Sequence, residues 1–390
     1  SDVKFFDVPV HLGLLMRRVQ SCVAVPEDNL ADSVMAPDLS RVKSASGSSD
    51  CSSDSDAQVC ASLPLACPKS CTVGVYMDWG GCPFMEDAHL VHATEREALF
   101  CVYDGHGGSA AADHCRDHLH LRILNSFGCG ATPAEALVDG FARTEDELLA
   151  EQRQQLAGRM SAGSTGSPCP APELCGTTAV VALLREGSVH LAWLGDCRAV
   201  LCRGGEAVDL TRDHVLTGTA GSSERARVLA EGGEIEGGRL SGFLEVARAL
   251  GDLDPATGCK PVGLSGAPEL HVQALRPEDE FLLLASDGLW QLLDSQAAVR
   301  LARADLRAHA DAGMAAEKLV EASLATGRAD DNITAMVVLL RPIAPDTSAR
   351  QRPRLPFMKR AASVPAALSV VALSLSEATA SAGVVPATPG

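Results

Sequence analysis

The sequence predicts an α+β domain that combines helices with short β-strands, which pair antiparallel where they follow one another directly. Apolar runs rich in valine and leucine recur through the middle of the chain, each about the length of one strand. Longer stretches with helical spacing separate some of these runs but not others. Between Thr177 and Leu210, three or four apolar runs follow one another across short turns, and strands in such succession pair antiparallel.

The predicted elements can be placed along the chain in order. Strands are expected at the segments LFCVYD, TTAVVALL, VHLAWLG, RAVLCR, FLLLASD and NITAMVVLL. Glycine tolerates the backbone angles of tight turns, and it marks the turns at Glu186-Gly187, Gly195-Asp196 and Gly204-Gly205. Recurrence of apolar residues at every third or fourth position predicts helices over residues 110–125, 133–155, 223–231, 295–304 and 312–325.

The folded domain is expected to span residues 72–342, between two flanking regions of different composition. Residues 1–71 are an N-terminal extension that ends in a Ser- and Asp-rich linker, since this composition buries too little apolar surface to order itself. Within the domain, residues 160–172 are predicted to be a flexible insertion. Residues 343–390 are predicted to be a disordered tail rich in basic residues, Ala and Pro.

Composition limits the classes of partner. The chain has 390 residues, of which 46% are hydrophobic and 21% are charged, as in an ordinary globular protein with a sizeable core. It contains 33 lysines and arginines and 50 aspartates and glutamates, which gives a net charge of −17 at pH 7. Such an acidic chain repels a phosphate backbone, so nucleic acid is excluded as a general partner. We expect a monomer.

Cysteine usage and hydropathy indicate the compartment. The 14 cysteines form no Cys-x-x-Cys pair and many lie in apolar runs, which predicts reduced thiols in an intracellular protein of the cytoplasm or nucleus. The first residues carry acids at Asp2 and Asp7 and do not form a secretory signal. The longest apolar run of the tail, Val364 to Leu375, is interrupted by Pro365 and two serines, so no membrane span is predicted.

Acidic residues stand at the ends of several apolar segments, in the motifs MEDAH, YDGHGG, ASDGLW and ADDN. If the fold brings their side chains together, mutual repulsion raises their pKa values or requires a cation. Oxygen ligands suit Mg²⁺ or Mn²⁺ rather than zinc. The alternative is that each aspartate caps a helix or starts a turn, since Asp-Gly is a common turn dipeptide. The side chains concerned are Glu86, Asp104, Asp287 and Asp331.

Further motifs extend these into an ordered series: MEDAH, FCVYDGHGG, GTTAVVALL, LGDCRAVL, LTRDH, ARALGD, FLLLASDGLW and RADDNITAMVV. In this series the chain resembles the metal-dependent protein phosphatases of the type 2C (PPM) family, over about residues 72–341. The resemblance implies two antiparallel β-sheets packed as a central sandwich and flanked by helices on both faces. It also implies a protein serine/threonine phosphatase with phosphoserine and phosphothreonine proteins as substrates.

The resemblance also implies a metal centre with two Mg²⁺ or Mn²⁺ ions. Asp104 would bridge the two ions. Asp287 and Asp331 would complete the protein ligands of one ion. Glu86 and the backbone carbonyl of Gly105 would serve the other ion. A hydroxide that bridges the ions would attack phosphorus directly, without a phosphoenzyme.

Other residues acquire roles from the same resemblance. His106 corresponds to the family's general acid, which protonates the departing serine or threonine oxygen. Asp87 would orient waters around the metals. Residues 211–250 resemble the flap beside the active site, and Arg248 and Asp252 are expected to hold the structure of the flap rather than to touch phosphate.

The chain departs from the family pattern at two positions. Asp196 matches an aspartate of a third, weaker metal site, but the usual second aspartate is replaced by Gln291, whose neutral amide is a poorer Mg²⁺ ligand. Two interpretations of Asp196 stay open, a third metal ligand or the closure of a strand turn. Cys82 stands where many members carry an arginine that grips the substrate phosphate, which predicts weaker substrate binding.

These departures motivate an alternative of another class, a catalytically silent scaffold that keeps the fold and binds phosphoproteins. A hydrolase of small phosphoesters is a third alternative. The presence of every core carboxylate favours the active protein phosphatase.

Overall fold

The computed structural model describes residues 19–23, 71–162, 175–219 and 221–343, which all lie in one compact unit, Ser1–Asp346. A second unit, Thr347–Gly390, contains none of the described residues. Most of the N-terminal extension, the later part of the predicted insertion and nearly all of the predicted tail therefore lie outside them. Among the described residues, no helix has the length and apolar character needed to cross a membrane.

The described residues form the following elements. The strands are β1 (Val19–Val23), β2 (Thr72–Asp78), β3 (Ala88–Ala93), β4 (Glu97–His106), β5 (Gly176–Arg185), β6 (Ser188–Leu194), β7 (Arg198–Arg203), β8 (Glu206–Asp209), β9 (Ile235–Glu236), β10 (Arg239–Leu240), β11 (Leu250–Gly251), β12 (Glu269–Ala274), β13 (Asp279–Ala285) and β14 (Ile333–Leu339). The helices are α1 (Ala110–Gly128), α2 (Pro133–Ala162), α3 (Ser222–Ala230), α4 (Asp287–Trp290), α5 (Ser295–His309) and α6 (Ala312–Leu324).

Two antiparallel sheets form the centre of the molecule. One has the strand order β1-β2-β14-β13-β7-β8, and the other has the order β12-β6-β5-β4-β3, with β11 paired to β5. The succession of strands predicted between Thr177 and Leu210 is present as the antiparallel hairpins β5–β6 and β7–β8. The chain passes from one sheet to the other between these hairpins, so the turn after Leu194 lies where the two sheets meet.

The sheets pack face to face around a shared apolar core. Phe100 of β4 and Leu282 of β13 point into this core from opposite sheets. Their neighbours Leu99 and Phe281 point outward, where they pack beneath the helices. Because successive side chains of a strand alternate between its two faces, a sheet buried on both sides is apolar at nearly every position. This explains the unbroken apolar runs of the sequence.

Helices cover both outer faces of the sandwich. Leu119 of α1 and Phe141 of α2 are fully buried against the sheet that contains β4 and β5. Val299 of α5 and Leu319 of α6 are buried in the same way against the sheet that contains β13 and β14. The predicted fold class, an α+β sandwich of two antiparallel sheets with flanking helices, is confirmed.

Each predicted helix is present, and the largest difference in length concerns α2. The prediction ends this helix at Gln155, whereas α2 continues to Ala162 and includes the first residues of the predicted insertion. The extension LAGRMSA contains no proline and several good helix formers, so nothing stops the helix at residue 155. The edge strands β3 and β12 were not predicted because their sequences, AHLVHA and ELHVQA, mix polar and apolar residues.

Residues 210–219 and 221–268, between β8 and β12, form a small substructure that we call the flap segment. It contains α3 and the hairpin β9–β10, and it continues beyond the predicted flap end at residue 250. Glu224 of α3 receives hydrogen bonds from Arg248, with an Nη2 to Oε1 distance of 2.6 Å. Arg248 therefore connects α3 to the residues just before β11, while its predicted lack of contact with phosphate stays a prediction. The flap segment has its own apolar core, which includes Leu216, Val228, Leu240, Val246 and Leu264.

Candidate active site

Acidic residues from six separate places in the chain, among them Glu245 of the flap segment, meet in one pocket of about 300 Å³. Asp104 comes from the end of β4, and Asp196 comes from the turn between β6 and β7. Asp287 is the first residue of α4, while Glu86 and Asp331 lie just before β3 and β14. The sequence-predicted residues that line the pocket are Glu86, Asp104, Gly105, His106, Asp196, Asp287 and Asp331.

Asp104, Asp196 and Asp287 form the tightest cluster in the pocket. Each offers a carboxylate oxygen, and the three oxygens lie within 4.8 Å of one another. The backbone N–H of Asp287 also donates a hydrogen bond to Oδ2 of Asp104, at 3.3 Å. Asp196, for which the sequence left two interpretations open, therefore lies beside two of the predicted metal ligands.

Burial and mutual repulsion raise the pKa values of this cluster. Burial raises the pKa of Asp104 well above its usual range, and the charges of Asp87 and Asp287 add to the effect. The pKa of Asp196 is raised well above its usual range by burial and by Asp287. Burial and the charge of Asp331 raise the pKa of Asp287 to about 6. A divalent cation would relieve this repulsion, and carboxylate oxygens are the donors that Mg²⁺ and Mn²⁺ prefer.

Gly105 allows the backbone of the pocket wall to pack closely. A Cβ atom at this position would lie 2.5 Å from the carbonyl oxygen of Glu86 and 3.2 Å from the side chain of Ala112. Only glycine fits there without a shift of backbone, because nearly all real Cβ contacts are longer. The strand end that carries Asp104 therefore lies directly against the loop that carries Glu86.

Asn332 holds the loop before β3 next to Asp331. Its Oδ1 accepts a hydrogen bond from the backbone N–H of Glu86 at 2.7 Å. Its Nδ2 donates to the carbonyl oxygens of Trp79 and Phe84, at 3.0 and 2.9 Å. A single buried amide thus fixes the distance between two of the sequence-predicted metal ligands.

Asp87 is buried beneath the pocket and does not line it. Its Oδ2 accepts hydrogen bonds from Ser286 Oγ at 2.8 Å and from Thr334 Oγ1 at 2.6 Å. Burial raises the pKa of Asp87 to about 7, and these two hydrogen bonds offset the effect only in part. The predicted role of Asp87, orienting waters around the metals, stays a prediction, while its hydrogen bonds join the loop before β3 to the ends of β13 and β14.

His106 is held by Asp252. The ring nitrogen Nε2 lies 2.7 and 2.9 Å from the two carboxylate oxygens of Asp252. Burial lowers the pKa of His106, but the hydrogen bond and charge of Asp252 and the charge of Glu86 outweigh it, so that the pKa is raised. Near neutral pH the ring therefore has an increased tendency to carry a proton.

The comparisons with known proteins agree with this arrangement. A family model described as Protein phosphatase 2C matches residues 81–332. The chain is 35% identical over 302 residues to a probable protein phosphatase 2C 22 of Arabidopsis thaliana, a match that covers 72% of each chain. A probable protein phosphatase 2C 27 of Oryza sativa subsp. japonica is also 35% identical, over 70% of this chain and 76% of that protein. This chain belongs to the protein phosphatase 2C family.

Solved structures support the same fold. A serine-threonine phosphatase 2C from Toxoplasma gondii aligns with a TM-score of 0.56 at 23% identity, over 71% of this chain and 98% of that chain. A sex-determining protein of C. elegans aligns with a TM-score of 0.59 at 21% identity, over 69% of this chain and 65% of that chain. The family membership predicted from the ordered motifs is confirmed.

Two features of this protein phosphatase 2C chain were missed by sequence reasoning. Asp252 was expected only to support the flap, but its side chain is the partner of His106. The backbone of Asp252 is left-handed, with φ 62°. The motif ALGD does not indicate this, because the glycine before the aspartate is the residue expected to adopt such an angle. Arg239 also lines the pocket, and it is the one arginine or lysine among the described residues that do so.

The two departures from the family pattern both contact predicted metal ligands. Gln291 Nε2 donates a hydrogen bond to Oδ2 of Asp287 at 2.5 Å. Cys82 Sγ lies 3.4 Å from Oδ1 of Asp331. Burial, together with the hydrogen bond and charge of Asp331, raises the pKa of the Cys82 thiol to about 11. Each departure therefore places a neutral group beside a carboxylate of the pocket.

Proposed function

We propose that this chain is a metal-dependent protein serine/threonine phosphatase that hydrolyses phosphoserine and phosphothreonine side chains. The observation that carries the proposal is the convergence of Asp104, Asp196 and Asp287 within 4.8 Å, with raised pKa values. Carboxylates in this arrangement favour divalent cations. Membership in a phosphatase family supports a role for these cations in phosphate ester hydrolysis.

The proposed metal centre uses oxygen donors only. Asp104 would be shared by two Mg²⁺ or Mn²⁺ ions, with Asp287 and Asp331 on one side of it. Glu86 and the carbonyl oxygen of Gly105 would lie on the other side. When bound, the ions would supply an activated water as nucleophile and positive charge for the phosphoryl oxygens, so that no phosphoenzyme is required.

The proximity of Asp196 to Asp104 and Asp287 supports a third cation beside the first two. Against this, Gln291 contributes an amide instead of a carboxylate, and its N–H group already bonds Asp287. The proposal is therefore a centre of two ions, with a third ion bound only at higher metal concentration. Metal titration followed by calorimetry would count the ions and rank their affinities.

His106 would act as the general acid. A serine or threonine alkoxide is a poor leaving group, so a proton must reach its oxygen as the bond to phosphorus breaks. Asp252 holds the imidazole by Nε2 and raises its pKa, which favours the protonated ring that this step requires. Asp252 is a positioning residue in this proposal, since its own partner is the ring and not the substrate.

Arg239 would take over part of the phosphate binding that Cys82 is unable to provide. The guanidinium of Arg239 donates to the carbonyl oxygen of Phe243 at 2.9 Å and pairs with Glu245. Both side chains of this ion pair are largely exposed, and such a pair holds an arginine only weakly. A phosphate group in the pocket would compete well for the guanidinium, because arginine binds phosphate with two parallel charge-assisted hydrogen bonds.

The test is phosphate release from a phosphothreonine peptide in Mn²⁺, Mg²⁺ or EDTA, with the Asp287→Asn variant measured beside the wild type. Matched circular dichroism and thermal melting of the two proteins provide the folding control. The proposal requires release that depends on metal and collapses in the variant. A folded wild-type protein that releases no phosphate with either metal, but still binds the peptide, would instead be the scaffold alternative.

A further inference from the structure

A second cavity, of about 640 Å³, lies against the pocket of the candidate active site. We call it the flap groove, and its walls come from the β9–β10 region and from the chain after β11. The residues that decide its character are Glu234, Phe243, Asp252, Asp254, Pro255 and Val262.

The flap groove adjoins the candidate active site at two residues. Phe243 lines both cavities. Asp252 lines the groove, and its carboxylate holds the ring of His106, which lines the active-site pocket. A polypeptide whose phosphorylated residue enters the active-site pocket therefore has an adjoining channel for residues on one side of it.

All of the charged side chains that line the flap groove are acidic. Its acidic residues are Glu234, Asp252 and Asp254, and no lysine, arginine or histidine is among its described lining residues. Within the described part of the chain, neither Glu234 nor Asp254 forms an ion pair within 4.0 Å. The nearby Lys260 is already engaged, because its ammonium group pairs with Glu145 and donates to the carbonyl oxygen of Ala249 at 2.6 Å. A cationic side chain of a bound ligand could therefore pair with Glu234 and Asp254, whose charges no basic side chain among the described residues offsets.

The flap groove also presents exposed apolar surface on a well-defined wall. The side chains of Phe243 and Val262 are 57% and 61% exposed, so both are available for contact with a bound chain. The part of the wall that carries Asp254 is fixed, since Asp254 N–H donates to the carbonyl oxygen of Cys259 at 2.8 Å. The Asp254 carboxylate is oriented too, because its Oδ1 accepts the N–H of Ala256 at 2.8 Å. A preformed wall reduces the entropy lost when a flexible chain binds.

We propose that the flap groove binds the segment of the phosphoprotein substrate next to the phosphorylated residue, and that it selects segments with a lysine or arginine beside an apolar residue. The basic side chain would lie between Glu234 and Asp254, and the apolar side chain would pack on Phe243 and Val262. This inference rests on the proposed function and names the class of substrate for the same site.

Two phosphothreonine peptides test the inference. One has lysine and leucine in the residues that flank phosphothreonine, and the other has glutamate and serine in their place. The wild type is expected to show a kcat/KM about ten-fold higher for the basic peptide, mainly through KM. In the double variant Glu234→Gln, Asp254→Asn the preference should fall by about two- to five-fold for each carboxylate, the range that solvent-exposed ion pairs provide.

Glu236→Gln is the matched control. Glu236 is an exposed acid of the same hairpin and is not among the groove residues, so the preference should be unchanged. Equal kcat/KM for both peptides in the wild type would overturn the inference and leave the proposed function intact. So would a double variant that keeps the full preference.

Binding separates a failure of the inference from a failure of the proposed function. If the wild type hydrolyses neither peptide, the proposed function fails. Fluorescence anisotropy of the same peptides, carrying a label, then tests the inference, which requires the basic peptide to bind about ten-fold more tightly than the acidic one. Sedimentation tests another occupant, a second copy of the chain. A double variant with altered self-association but unaltered peptide preference would show that the groove serves that contact and that the inference is wrong.

Discussion

The carboxylate cluster at the end of the sandwich and Glu224 of the flap segment have opposite surroundings. Asp104, Asp196 and Asp287 lie within 4.8 Å of one another, and their pKa values are raised. Glu224 of the flap segment lies between Arg227 and Arg248. Burial raises the pKa of Glu224, but hydrogen bonds from these arginines outweigh it and lower the pKa to about 2.

The two regions also differ in how their residues are supported. The carboxylates at the end of the sandwich lie on strand ends and loops. The sheets next to them are covered by apolar side chains on both faces. The flap segment packs around a much smaller apolar core of its own. A metal centre needs fixed distances between its donor atoms, and the large core beneath the end of the sandwich can provide them.

Removal of the central carboxylate is expected to have the largest effect. Asp104→Asn should lower metal-dependent phosphate release by a factor on the order of 10³ to 10⁴, because the cations stabilise transition-state charge by several kcal/mol. The metal-free variant should nevertheless be at least as resistant to urea as the wild type, since one repelling charge has been removed. Metal-free unfolding curves that show a clear loss of stability would mean that Asp104 is structural and not a ligand.

Loss of the candidate general acid comes next. His106→Asn should lower kcat by about 10²-fold, and Asp252→Asn should lower it less, because the ring remains present but is held less well. The pH profile of kcat is the second measurement. Asp252→Asn should move the alkaline limb to lower pH, since Asp252 raises the pKa of His106. An Asp252→Asn variant with unchanged kcat and an unchanged profile would remove Asp252 from the mechanism.

The contrast in pKa values predicts a pH dependence of stability in EDTA. Folding raises the pKa of Asp287 to about 6 and that of Asp87 to about 7, so the native state binds more protons than the unfolded state between about pH 4 and pH 7. The free energy of unfolding should therefore fall as pH rises through this window, by several kcal/mol in total.

Glu224 provides the internal control for that measurement. Its lowered pKa contributes stability above about pH 4.5 that is lost only as pH falls toward 2, outside the window. Mg²⁺ should flatten the profile above pH 6, because a cation offsets the repulsion between ionised carboxylates. The Asp87→Asn variant should have a shallower slope, and a slope equal to that of the wild type would contradict the assignment.

The sequence predicted the fold class and the residues of the pocket for different reasons. Unbroken apolar runs such as TTAVVALL predict strands that are buried on both faces, and this is a local property. The grouping of Asp104 with Asp287 came from the ordered motifs of a known family, since residues so far apart in sequence have no local signal of proximity. The contact of Asp252 with His106 and the position of Arg239 in the pocket were missed, because both depend on how the flap segment packs, where the apolar pattern is weakest.

Replacement of Arg239 is expected to have the smallest effect on activity. The effect should be specific to substrate binding, as a change in KM. Arg239→Ala should raise KM for a phosphothreonine peptide by about ten-fold with little change in kcat, because a hydrogen bond to a charged group contributes about 1.5 to 3 kcal/mol. Arg239→Lys should restore only part of the affinity, since an ammonium group lacks the two parallel donors of arginine. Arg300→Ala, an exposed arginine on α5, is the matched control.

The same experiment tests whether Arg239 compensates for Cys82. Cys82→Arg should lower KM in the wild type, and it should lower KM more in the Arg239→Ala background, where no other guanidinium competes for the phosphate. The double-mutant cycle should therefore show non-additive effects, as expected for two groups that bind one ligand. Strict additivity, or an unchanged KM in Arg239→Ala, would mean that the metal centre binds the phosphate alone and that the flap arginine only pairs with Glu245.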